Sequence, residues 1–138
     1  MKRELKILLI EDDTIELMKL NRAMLSLNMS HNVKEANNGE EALELLSKED
    51  YCPDIILLDL NMPKINGIEF LIIIKNNTSL KFIPTIILTT SSNKKDLQEC
   101  YNIGIAGYIL KPLKYEDYIA KINLLLSYWS DNELIKSS

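Results

Sequence analysis

The sequence predicts an α/β fold: a five-stranded parallel sheet wrapped on both faces by helices. Three observations carry this. Short runs rich in Ile, Leu and Val, at Leu5 to Ile10, Ile55 to Leu58, Thr85 to Thr89 and Tyr108 to Leu110, are nearly continuous in apolar character, as strands buried on both faces are. Between them lie longer segments whose apolar residues recur three and four apart, the period of a helix packed along one side. Strand and helix alternate along the whole chain, and parallel neighbours need such crossovers, nearly always right-handed.

Each element follows in order. After the first strand, Leu17, Leu20, Met24 and Leu27 form one helical stripe. A weaker second strand, Asn32 to Ala36, runs into Asn37, Asn38 and Gly39, which read as a loop, and Ala42, Leu43 and Leu46 mark a short second helix. Phe70 to Ile74, beyond the third strand, is the centre of a largely buried third helix. The fourth helix carries Leu97, Cys100 and Tyr101 and is capped by Ser92 or Asn93. In the last helix Tyr118, Ile122, Leu125 and Trp129 face the sheet, leaving Tyr115, Leu124, Leu126 and Tyr128 on other faces.

The 138 residues, 46% hydrophobic and 26% charged, fit one domain with a sizeable core, expected over 1–130, and a short polar tail over 131–138 with no output domain. Sixteen Lys and Arg against twenty Asp and Glu leave a net charge of -4, the wrong sign for neutralising nucleic-acid phosphates. Cys52 and Cys100 have neither disulfide-framework nor zinc spacing. The apolar run Ile7 to Ile10 is too short for a signal peptide, and none approaches the ~20 residues of a membrane span. A cytoplasmic protein that binds neither nucleic acid nor membrane is expected.

Sheets of this kind bind ligands beyond the carboxyl ends of their strands. Those positions hold Glu11, Asp12 and Asp13 after the first strand, Asp59, Leu60 and Asn61 after the third, Thr89 and Thr90 after the fourth, and Lys111 and Pro112 after the fifth. Clustered carboxylates repel unless a cation lies among them, and oxygen-only ligands select a hard ion such as Mg²⁺. Lys111 supplies a point charge for an anion beside the metal. Together they form a phosphoryl-binding site with Asp59 at its floor, and a carboxylate is a competent nucleophile toward phosphorus.

Four motifs in this order identify a resemblance to the response-regulator receiver domains of two-component signalling, spanning Ile7 to about Trp129. They are the IEDD run; Asp59, Met62, Pro63 and Gly67 in D-x-x-M-P-x-x-x-G; PTIILT ending at Thr89; and GYILKP with Tyr108, Lys111 and Pro112. The resemblance implies a flavodoxin-like sheet of order 2-1-3-4-5 with five helices. It also implies Mg²⁺-dependent transfer of a phosphoryl group from a kinase histidine to Asp59. Asp12 would hold the metal directly and Glu11 chiefly through water, with Asn61 giving its backbone carbonyl. Thr89 would bond the phosphoryl group, Lys111 would pair with it, and Tyr108 would be a rotamer switch linked to Thr89. Thr90 stands where the family often has a smaller residue, which implies a narrower path for an attacking water. The family's Lys-Pro bond, here Lys111–Pro112, is expected to be cis.

Other candidates have plainer readings. Asp13 reads as a helix cap, His31 as a loop residue without a catalytic role, and both cysteines as small apolar residues. Asn66 stands where the family often has Asp, outside the chemistry. The chain is expected to act alone, as a phosphoprotein that catalyses only its own phosphorylation and dephosphorylation. Its partners would be a sensor histidine kinase or phosphotransfer protein, a downstream protein, and a second copy through the fourth-helix to fifth-helix face. The TTSS run and the Tyr128-Trp129 pair resemble the regulators that serve bacterial phytochromes, which implies a phytochrome-like photoreceptor kinase. Three rivals remain: a flavodoxin-like ligand binder, which lacks its phosphate loop; an acid-nucleophile phosphatase, which wants Asp at the position of Asn61; and a degenerate receiver acting as an unphosphorylated adaptor.

Overall fold

The strand and helix periods of the chain resolve into a five-stranded parallel sheet of order β2-β1-β3-β4-β5 in the computed structural model, which describes residues 3–62 and 65–135. In chain order the elements are β1 (Lys6–Ile10), α1 (Thr14–Ser26), β2 (Asn32–Ala36), α2 (Gly39–Leu46), β3 (Ile55–Leu58), α3 (Gly67–Lys75), β4 (Thr85–Thr89), α4 (Lys94–Ile103), β5 (Gly107–Leu110) and α5 (Tyr115–Ser130), with a 3₁₀ turn at Leu80–Phe82. Pro63 of the motif and the last three residues of the expected tail lie outside the described residues.

The central strands explain the apolar runs. β1 pairs with both β2 and β3 (Ile7 opposite Val33 and Ile55), and β3 pairs with β4 (Leu57 opposite Ile86). Successive side chains point to opposite faces, so one run feeds two cores. Ile7, Leu9, Ile55, Leu57, Ile86 and Leu88 pack under α1 and α5. Leu8, Ile10, Ile56, Leu58 and Ile87 pack under α2, α3 and α4. β2, an edge strand, keeps only Ala36 fully buried, which accounts for its weak signal. Among the described residues no helix is long and apolar enough to cross a membrane.

The caps fall where side-chain chemistry puts them. Asp13 caps α1 by accepting from Ile15 N at 2.9 Å, and Asn93, of the two expected candidates, caps α4 by accepting from Lys95 N at 2.8 Å. His31 Nδ1 accepts from Leu5 N at 2.9 Å, tying the β2 approach to the start of β1.

Four expectations need correction. Gly39 begins α2 instead of a loop, because Asn38 caps that helix and Gly39 lies against Ile65, which a Cβ would meet at 3.1 Å. α3 is not largely buried. Gly67, Phe70, Leu71 and Ile74 face inward while Ile72 and Ile73 are exposed, since α3 covers the sheet with one side only. Leu126 is fully buried beside Ile122 and Leu125, so the buried stripe of α5 is broader than the stepping of four residues implied, and Trp129 is half-buried. Finally, no peptide bond among the described residues is cis, so Lys111–Pro112 is trans, the form X-Pro bonds favour intrinsically.

Candidate functional site

Backbone hydrogen bonds that extend past the strand ends assemble the site. Glu11 N donates to Ala36 O at 3.0 Å, Asp59 N to Ile10 O at 3.1 Å and Lys111 N to Thr89 O at 2.8 Å. The first residue beyond each of β1, β3 and β5 is thus pinned to the end of a neighbouring strand. Glu11, Asp12, Asp59, Asn61 and Lys111 line one cavity of about 400 Å³ together with Glu16, Thr90 and Leu113. Five of the seven site residues expected from the sequence therefore meet here.

Glu11 and Asp59 are buried and Asp12 is exposed, with one carboxylate oxygen from each lying within 4.8 Å of the others. Asp13 has left this group to cap α1. Lys111 Nζ donates to Glu11 Oε1 at 2.6 Å and to Glu16 Oε1 at 2.9 Å, and its side chain is only 6% exposed. Burial pushes Glu11 up to about 7; Lys111 opposes that shift and the neighbouring charge of Asp59 adds to it. Burial also works against the charge on Lys111, but its bonds to Glu11 and Glu16 win and raise it above the usual lysine range. The same contest at Glu16 ends below the carboxylate norm, because Lys111 and Lys19 together outweigh burial. One ammonium thus faces more acid than it can offset. An oxygen-only cluster left with surplus negative charge suits a hard divalent cation.

Thr89 and Tyr108 lie to one side of the cavity. Thr89 is fully buried, and its Oγ1 accepts from Ser91 N at 3.3 Å. The Tyr108 hydroxyl donates to Ser91 O at 2.8 Å, so Ser91 bridges the expected switch pair through its backbone. Thr90, next in the chain, is the threonine that lines the cavity.

Two residues of this arrangement were not legible in the sequence. Glu16 looks like any first-turn acid favoured by the helix dipole, and only the docking of α1 against α5, the helix that follows Lys111, brings it to that lysine. Ser91 acts through its main chain, which carries no residue-type signal.

Residues 7–123 match the family described as the response regulator receiver domain, and the chain belongs to that family of two-component signalling proteins. It is 34% identical over 127 residues to the probable methanogenesis regulatory protein FilR2 of Methanothrix harundinacea, covering 89% of this chain and 82% of that protein. It is 31% identical over 128 residues to response regulator Rcp1 of Synechocystis, covering 89% and 87%. The crystal structure of the phosphorylated cyanobacterial phytochrome response regulator RcpA superposes with a TM-score of 0.89 at 31% identity, covering 97% of this chain and 100% of that one. The flavodoxin-like receiver fold, with its 2-1-3-4-5 sheet, is therefore that of the family.

Proposed function

We propose that this receiver takes a phosphoryl group onto Asp59 from a sensor histidine kinase and signals by changing its protein partners. The observation that carries the reading is a buried Asp59 within 4.8 Å of two further carboxylates, in a cavity that also holds the Lys111 ammonium. An Asp59 carboxylate oxygen attacks phosphorus as the phosphorus–nitrogen bond of the kinase phosphohistidine breaks, and the released imidazole takes up a proton. Glu11, Asp12 and Asp59, with the Asn61 backbone carbonyl, would hold a Mg²⁺ ion, whose chemistry is to neutralise phosphoryl oxygens. Lys111 adds a second cation in the same cavity, and Thr89 offers a hydroxyl once it turns from Ser91.

Because Ser91 N is bonded to Thr89 and Ser91 O to Tyr108, movement of Thr89 disturbs the Tyr108 anchor, and the populations of the Tyr108 surface shift with it. The chain's chemistry is confined to its own aspartate, so it is no enzyme toward other molecules. Leu113, fully exposed at the cavity mouth, and Ile15 and Met18, exposed on α1, offer apolar contact to a kinase beside Asp59. The likeness to phytochrome response regulators supports a phytochrome-like photoreceptor kinase as that partner. A kinase of this kind acts in the cytoplasm, a reducing compartment that also suits two cysteines without disulfide-framework spacing.

Intact-mass measurement after incubation with Mg²⁺ and acetyl phosphate tests the reading. A gain of about 80 Da, one phosphoryl group, is expected for the natural chain and none for Asp59→Asn. Absence of labelling in the natural chain would favour the unphosphorylated adaptor instead.

A further inference from the structure

Lys111 is the cation on which the phosphoryl reading depends, yet its ion pairs are with Glu11 and Glu16, and it forms none with Asp59. Glu11 also belongs to the carboxylate cluster that suits a metal ion. With Glu11 drawn toward a cation, Glu16 is the acid left to Lys111.

Glu16 is not a loose surface carboxylate. Its Oε1 takes Lys111 at 2.9 Å, while its Oε2 takes Lys19 Nζ at 3.2 Å, one turn along α1. Lys19 Nζ in turn lies 4.7 Å from the ring centroid of Tyr118, a buried residue of α5. Glu16 thereby sits between two lysines and shares its charge between Lys111 and a Lys19 that packs on α5.

We propose that Glu16 is a latch, a positioning residue that competes with the phosphoryl group for the Lys111 ammonium and so favours the unphosphorylated state. This rests on the reading above that Lys111 meets the phosphoryl oxygens. A fixed anion paired with Lys111 only before phosphorylation lowers the free energy of that state alone, and two-state populations respond to such differential contacts. Removing the charge should release Lys111 toward its phosphoryl partner.

The test is a beryllofluoride titration at saturating Mg²⁺, read by the bound ¹⁹F resonance and by the thermal midpoint, on the full chain and its Glu16→Gln, Glu16→Asp and Lys19→Gln variants. Glu16→Gln should tighten beryllofluoride by about threefold or more, the worth of a partly exposed ion pair. Glu16→Asp, which draws the charge back by one methylene, should tighten it less. Lys19→Gln leaves the latch charge intact and undivided, so it should leave affinity unchanged or weaker. General loosening of α1 would instead move the Glu16 and Lys19 variants in the same direction. Should Glu16→Gln fail to fold, Glu16→Asp decides the matter by the same sign. Equal or weaker affinity in the Glu16 variants overturns the latch alone, whereas no binding by the natural chain overturns the phosphoryl reading and the latch with it.

Discussion

Gly67 presses its backbone against the segment that carries Asp59. A Cβ on Gly67 would lie 2.7 Å from the Asp59 carbonyl oxygen and 2.7 Å from Leu60 Cα, closer than side-chain carbons approach, and Gly67 N donates to Leu60 O at 3.2 Å. The N-terminus of α3 is set at this height by a capping box, in which Asn66 accepts from Glu69 N at 2.9 Å and Glu69 reaches back to Asn66 N at 3.4 Å. The glycine is required by contact, not by an unusual backbone angle.

Gly67→Ala should therefore displace the Asp59 segment. We expect a stability loss of about 1 to 3 kcal/mol, typical of overpacking against backbone, and slower labelling by acetyl phosphate. Chemical denaturation and time-resolved intact mass check the two effects, and an unchanged labelling rate would show that the segment yields without moving the carboxylate.

Mg²⁺ should stabilise the natural chain because it relieves repulsion among Glu11, Asp12 and Asp59. Ordinary linkage gives about 2.7 kcal/mol at a free concentration one hundred times Kd. Asp12→Ala should lose this gain in thermal midpoint. An equal response in both proteins would indicate diffuse screening of surface charge.

His31 gives a pH dependence remote from the site. Burial lowers its pKa, opposed by Glu4, and its Nδ1 is an acceptor only when unprotonated. The folded value lies below the unfolded one, so the contribution of His31 is fully present above pH ~6.5 and is lost as pH falls through the folded value. Denaturant midpoints of the natural chain and His31→Gln, compared at pH 7.5 and at about pH 5, should converge on acidification. A constant difference between them would remove His31 from the pH response.

Self-association is expected through the groove of about 530 Å³ between β5 and α5, whose rim includes Leu124 at 72% and Tyr128 at 64% exposure. A two-fold dimer is the simplest closed use of that surface. Sedimentation should show association that a phosphoryl mimic strengthens and Tyr128→Ser weakens, while labelling of Asp59 persists. A monomer under all conditions would leave the groove to a different protein.

Much of the fold was legible because the two periods differ so plainly. The β2 reading, Asn32 to Ala36, coincides with the strand even though four of its five residues are not buried, since the flanking turn residues mark its ends. Glu11, Asp12, Asp59, Asn61 and Lys111 were legible as a set because each lies in the short segment that follows an apolar strand run, and in a parallel sheet all such segments share one edge. The breadth of the α5 stripe was not, because Leu124, Leu125 and Leu126 are alike in type and only the angle at which the helix lies on the sheet separates exposed Leu124 from buried Leu126.

By itself, then, the sequence determined the order of the elements, the edge at which the acids and the lysine collect, and the cap at Asp13, all of which follow from local period and side-chain type. Only the tertiary structure decided which carboxylates take Lys111, that Thr89 and Tyr108 meet through Ser91, and that α3 leaves no room for a side chain at Gly67. The reason is reach. A long ammonium side chain has many partners within its radius, and the choice among them depends on how helices dock, to within an ångström that no local pattern records.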